Sequence, residues 1–63
     1  MTDQEILRIM SEAKKQIEVD INLSSLHYCE DIRERKVREM YVFYPAIAAL
    51  PAGKFKELWD KAA

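Results

Sequence analysis

Apolar residues recur at three- and four-residue steps through the first third of this sequence, and this spacing constrains the fold more than any other feature. The residues concerned are Ile6, Met10, Ala13, Ile17 and Ile21. At about 100° per residue they fall in one narrow stripe, which is typical of an amphipathic helix with one buried face. Thr2 and Glu5 form a capping box ahead of the stripe, with the Thr hydroxyl accepting the backbone N–H three residues later. The pattern predicts a helix over residues 3–17.

Residues 17–23 fit two structures. Apolar residues alternate there with two acids and an asparagine, and β-branched residues dominate, as in a half-buried strand. A lone strand needs a partner, which would be the same segment of a second copy or the segment around residues 40–44. Helix needs no partner and prolongs the stripe. We therefore expect helix here, with strand as the alternative.

The rest of the sequence predicts helices interrupted by proline. A serine pair at residues 24–25 indicates a break. A second helical pattern covers residues 26–44, and Pro45 ends it because proline disfavours helical geometry in the residue before it. The apolar face of this second helix is predicted to contain Leu26, Cys29, Val37, Met40 and Tyr44. One turn over residues 46–50 and a last short helix complete the chain; Pro51 lies near the start of this helix, and its apolar residues are Phe55, Leu58, Trp59 and Ala62.

The length of 63 residues allows one domain. One Gly and two Pro supply too few turns for a sandwich or barrel of many strands. A chain this short buries only about 60% of its unfolded surface, so its core is marginal. We predict a single all-α domain over residues 1–63, a helical hairpin or three-helix bundle with a short C-terminal helix, which dimerisation would complete.

The net charge of −1 conceals an uneven distribution. Residues 1–31 carry three basic and seven acidic side chains, a net charge of −4. Residues 32–63 carry seven basic and four acidic side chains, a net charge of +3. The two halves attract each other within one chain or between antiparallel copies, and the second option predicts a homodimer.

Five consecutive apolar residues, 40–44, cover every direction of a helix. In one interpretation the segment is central, between the first and last helices. In the other, a second protein covers its outer side, since large apolar patches mark protein contacts and aromatic residues are enriched there. The predicted protein-binding residues are Tyr41, Val42, Phe43 and Trp59.

The basic segment 33–38 suggests an alternative to protein binding, namely contact with nucleic acid. Phosphate binding needs several cations on one surface. On a helix Arg35 and Arg38 point away from the apolar side and lie among acids, so nucleic-acid contact is the less favoured reading. Arg33 falls within the apolar stripe, where a guanidinium needs a partner such as Asp20 or Glu18.

The residue pattern gives little support for catalysis, metal binding or a membrane span. His27 and Asp31 share a helical face, but two ligands make no closed zinc site. Cys29 has no base at a helical spacing from it, so a catalytic dyad is not supported. No enzyme activity, cofactor or membrane span is expected. The single Cys fits a reducing compartment, so we expect a cytoplasmic protein.

Separate pieces of the sequence resemble the theta subunit of bacterial DNA polymerase III, a small helical protein that binds and stabilises the proofreading exonuclease subunit. The pieces are residues 17–21, Tyr28, Glu30, residues 45–48 and residues 55–59. This sequence has more residues between Tyr28 and Pro45 than that family, and fewer between Pro45 and Trp59. The resemblance implies the broader class of small helical accessory subunits.

These observations favour a small non-enzymatic accessory or regulatory factor that binds another protein and is encoded by a bacterium or phage. The alternative is a dimeric DNA-binding regulator that uses the segment from Arg33 to Arg38. A purely structural homo-oligomer is a third hypothesis.

Overall fold

The structure is a computed structural model, and it describes residues 1–23 and 29–63, without the side chains of residues 29 and 30. Within those ranges it contains four helices and no strand, which confirms the predicted all-α class. The helices are α1 (Asp3–Leu23), α2 (Cys29–Phe43), α3 (Pro45–Ala48) and α4 (Ala52–Lys61). The predicted break at residues 24–25 and the predicted core residue Leu26 lie outside the described residues.

The first helix begins at the predicted cap and extends beyond the predicted residues 3–17. The backbone N–H of Glu5 donates to Thr2 Oγ1 at 3.2 Å. The helix continues through residues 17–23, so the strand alternative for that segment is wrong. Ile17 is only 6% exposed, and a helix keeps it on the same buried face as Ile6 and Met10.

Both prolines act at helix boundaries. Tyr44 has φ −131° and ψ 78°, outside the helical region, and Pro45 opens α3. Pro51 precedes α4 with φ −57° and ψ 145°. The predicted break at Pro45, the single turn after it and the last short helix are confirmed.

The first two helices form an antiparallel hairpin, and α4 packs on one face of it. Ile9 and Phe43 line a cavity at one end of the hairpin, whereas Asp20 and Ile32 line one towards the other end. Lys54 of α4 forms an ion pair of 3.1 Å with Asp3 at the start of α1. The end of α4 lies beside the middle of α1, so α4 runs in the same direction as α1. The opposite face of the hairpin remains open among the described residues.

The core lies between α1, the end of α2, α3 and α4. Its buried members are Ile6, Met10, Ala13, Met40, Ile47, Leu58 and Ala62. Tyr44 was predicted to share this core, and that prediction is wrong, because its side chain is 38% exposed. The reason is the break before Pro45: Tyr44 leaves helical geometry, so its side chain no longer follows the stripe that contains Met40.

Candidate protein-binding surface

The apolar segment 40–44 divides between the core and the surface. Met40 is buried, and Tyr41 is half-buried, with its ring edge-on to Phe55 of α4 at a centroid distance of 5.8 Å. Val42 and Phe43 are 77% and 69% exposed. The central interpretation therefore holds for Met40 and Tyr41, whereas Val42 and Phe43 are exposed.

The four predicted protein-binding residues lie on different sides of the molecule. Tyr41 and Trp59 come together through Phe55, on which Trp59 stacks at 5.8 Å with an interplanar angle of 12°. These three half-buried rings join α4 to the hairpin. Val42 lies outside the core, as its position on the helix predicts, and Phe43 borders the open face. Phe55, which links Tyr41 to Trp59, was not among the predicted protein-binding residues.

A groove of about 610 Å³ runs between α1 and α2 on the open face. Its walls are formed by Arg8, Ile9, Glu12, Ala13, Gln16, Lys36, Glu39, Met40, Phe43 and Tyr44. Ile9, Ala13 and Met40 contribute apolar surface, of which Ala13 and Met40 are buried. We call the groove together with Phe43 the open face.

Charged side chains border this apolar strip on both sides. Arg8 and Glu12 lie on the α1 side, and Lys36 and Glu39, which form an ion pair of 3.6 Å, lie on the α2 side. A smaller cavity of about 190 Å³ shares Lys36 and Glu39 and continues towards Asp20. The open face therefore combines an apolar strip, one exposed aromatic ring and a border of both charge signs.

The sequence carried a partial signal for this groove. Ile9 stands on the flank of the first stripe and Phe43 on the flank of the second; Ile9 is half-buried against the core, and Phe43 is exposed. The signal is incomplete because the periodicity of a helix does not say which flank the next helix will cover. The groove is exposed because α4 packs on the other face of the hairpin.

The basic segment does not form one cationic surface. Arg33 is exposed, contrary to its predicted place in the apolar stripe, and lines a cavity with Glu18 and Trp59. The hairpin presents Arg33 at the edge facing α4, so the guanidinium reaches solvent. Arg35 lines the cavity that contains Asp20 instead, and Arg38 is exposed. Arg33 and Arg35 thus belong to different surfaces of the hairpin.

The described residues hold no cluster of three or more His, Cys, Asp or Glu side chains placed to bind a metal ion. His27 lies outside the described residues, and so does the side chain of Cys29, which leaves Asp31, exposed on α2. None of the helices in the described ranges has the length and apolar content that a bilayer crossing requires.

Comparison with protein-family models, with curated proteins and with solved structures gives no match to this chain. The likeness to the theta subunit therefore stays a resemblance between short pieces of sequence.

Proposed function

We propose that this protein is a non-enzymatic accessory factor that binds another protein chain on its open face. The observation that carries the proposal is Phe43, an aromatic side chain that is 69% exposed at the border of an apolar groove. Isolated exposed apolar residues are common on protein surfaces, but Phe43 lines one groove together with the apolar residues Ile9, Ala13 and Met40.

The composition of the open face matches that of a protein interface. Interfaces have an apolar centre with aromatic anchors and a polar border that stays accessible to water. Phe43 and Ile9 supply the centre, while Arg8, Glu12 and Lys36 supply the border. An aromatic side chain buried at the centre of an interface commonly contributes more than about 2 kcal/mol to binding.

The shape of the groove indicates the kind of partner segment. Two antiparallel helices leave a furrow between them that accepts a third helix through apolar residues at three- and four-residue steps. α4 already packs on the other face of the hairpin through apolar residues, Phe55, Leu58 and Ala62. A helix of a partner protein would cover the open face in the same way.

Absence of catalysis is part of the same proposal. The groove is bounded by the walls of two helices and is open to solvent, whereas substrate sites bury most of a small ligand. A reducing compartment such as the cytoplasm is the proposed location, because the sequence contains one Cys.

The proposal is tested by affinity capture from the native cell with matched variants. Phe43→Asp places a charge at an exposed position of the open face, and we expect the variant to keep the helical circular-dichroism signal and to lose the captured protein. Ala52→Asp is the control, since it adds the same charge at an exposed position of α4. Capture that is equal for Phe43→Asp and the wild type would refute the open face as the binding surface.

A further inference from the structure

One long stretch of the chain carries no charged side chain, and most of it lies on the surface. Residues 40–53 contain no Asp, Glu, Lys or Arg, although such residues make up 33% of the whole chain. Between Val42 and Ala49 every residue except Ile47 is exposed, and the exposed fractions of Val42 and Phe43 are 77% and 69%. We call the exposed residues of the range 42–49 the apolar end.

The apolar end lies at one narrow end of an elongated molecule. The range 42–49 covers the end of α2, α3 and the turn after it. Because α1 and α2 are antiparallel, α1 starts at this end, and the ion pair between Lys54 and Asp3 places the start of α4 there too. The principal extents are 36 × 20 × 19 Å, and α1 alone spans about 30 Å, so the long axis follows the hairpin. The apolar end therefore projects from the molecule, and a flat partner surface can contact it.

The apolar end offers a partner few groups for hydrogen bonding. Tyr44 carries the one side-chain hydroxyl between residues 42 and 49, and Pro45 has no backbone N–H. The backbone N–H groups of Tyr44, Ile47 and Ala49 already donate to carbonyl oxygens of the chain at 2.9–3.0 Å. A protein interface forms about one hydrogen bond per 100–200 Å² of buried area, whereas hydrocarbon requires backbone donors that are satisfied internally. This poverty of polar groups favours lipid over a protein chain at this end.

The charges that flank the uncharged stretch leave unpaired cations beside the apolar end. The nearest acids in the sequence on either side, Glu39 and Glu57, each form an ion pair with a lysine of their own helix. Among the residues that the structure describes, the exposed side chains of Arg38 and Lys56 form no ion pair within 4.0 Å. Arg38 precedes Val42 by four residues, so it lies one helical turn behind Val42 on the same face of α2. Anionic lipid headgroups attract cations placed in this way.

We propose that the apolar end inserts into the surface of a membrane that contains anionic lipids, with Val42, Phe43 and Ala46 among the acyl chains and Arg38 at the level of the headgroups. Large exposed apolar patches mark membrane contacts as well as protein contacts, and a segment that lies in the interface needs no spanning helix. Tyrosine is enriched at the boundary between hydrocarbon and water, where Tyr44 would lie. The proposal goes beyond the proposed function, because Val42 and Ala46 are not among the residues that line the groove of the open face.

Flotation with vesicles made of equal parts of phosphatidylcholine and phosphatidylglycerol tests the proposal. We expect the wild type to float with the vesicles, and Val42→Asp to have a partition coefficient at least about tenfold lower, because its carboxylate would enter hydrocarbon. Val19→Asp is the matched control and should bind like the wild type, since it makes the same substitution at a 47% exposed position of α1 near the other end of the hairpin. Arg38→Gln should weaken binding about fivefold, and only when the anionic lipid is present. Circular dichroism of each variant confirms that the chain remains helical.

The outcomes separate this proposal from the proposed function. A wild-type chain that does not float with these vesicles overturns the membrane contact, and so do equal partition coefficients for Val42→Asp and Val19→Asp. Capture through Phe43 is measured in a cell extract cleared of membranes, so the open face keeps its function when vesicle binding fails. Vesicle binding that Val42→Asp abolishes, together with capture that Phe43→Asp leaves unchanged, supports the membrane contact and refutes the open face.

Discussion

Lys14 of α1 contacts Trp59 of α4 in two ways at once. Its ammonium group lies 5.1 Å from the centroid of the Trp59 ring, and it donates a hydrogen bond to the Trp59 carbonyl oxygen. The same group donates to the carbonyl oxygen of Ala62 at 2.9 Å. Because the last carbonyls of a helix lack partners within it, Lys14 caps α4 and fixes it to α1.

The loss of this contact should destabilise the protein. Lys14→Met keeps most of the aliphatic stem but removes the charged donor, and we expect the free energy of unfolding to fall by about 1–3 kcal/mol. Thermal unfolding followed by circular dichroism measures the change. Lys56→Met, at an exposed position of α4, is the control and should alter stability by no more than about 0.5 kcal/mol. Equal melting temperatures for the two variants would show that Lys14 does not fix α4.

The aromatic residues at the end of α2 should differ in their effect on stability. Tyr41 packs edge-on against Phe55, so Tyr41→Ala removes a contact that joins α2 to α4. We expect a loss of about 2–3 kcal/mol, somewhat below the cost of truncating a fully buried aromatic residue. Tyr44→Ala should cost less, because Tyr44 is 38% exposed and outside the helical stripe. A larger fall in melting temperature for Tyr44→Ala would contradict this assignment of core and surface.

The helices could be predicted from the sequence because their signals are local. The stripe from Ile6 to Ile17, the cap at Thr2 and the break at Pro45 each depend on neighbours within a few residues. The alternating pattern of residues 17–23 was resolved by the burial of Ile17, which favours a continuous helix.

The placement of α4 could not be predicted in the same way. The contact between Lys14 and Trp59 joins residues 45 positions apart, and no short-range pattern in the sequence indicates it. The open face follows from that placement, because covering one side of the hairpin leaves the other side exposed. Arg33 and Tyr44 were assigned to the core from periodicity alone, whereas a neighbouring helix and a proline determine their exposure.

Nucleic-acid binding is expected to be weak. Arg33 and Arg35 line different cavities, and Asp20 and Glu39 lie beside Arg35, so few cations can contact one phosphate backbone together. Titration of duplex DNA at near-physiological salt should reveal no tight site, and Arg38→Gln should change little. Nanomolar binding that weakens steeply with added salt, and that Arg35→Gln and Arg38→Gln reduce, would instead favour the DNA-binding regulator.

The central claim, that the open face binds a protein chain, is tested most directly by photo-crosslinking in the native cell. A photoreactive phenylalanine analogue replaces Phe43, and in a matched control it replaces Glu34, which is exposed on α2 outside the residues that line the groove. We predict a discrete adduct from position 43, with either a second copy or another protein, and none from position 34. Equal adducts at the two positions, or no adduct at position 43, would contradict the account.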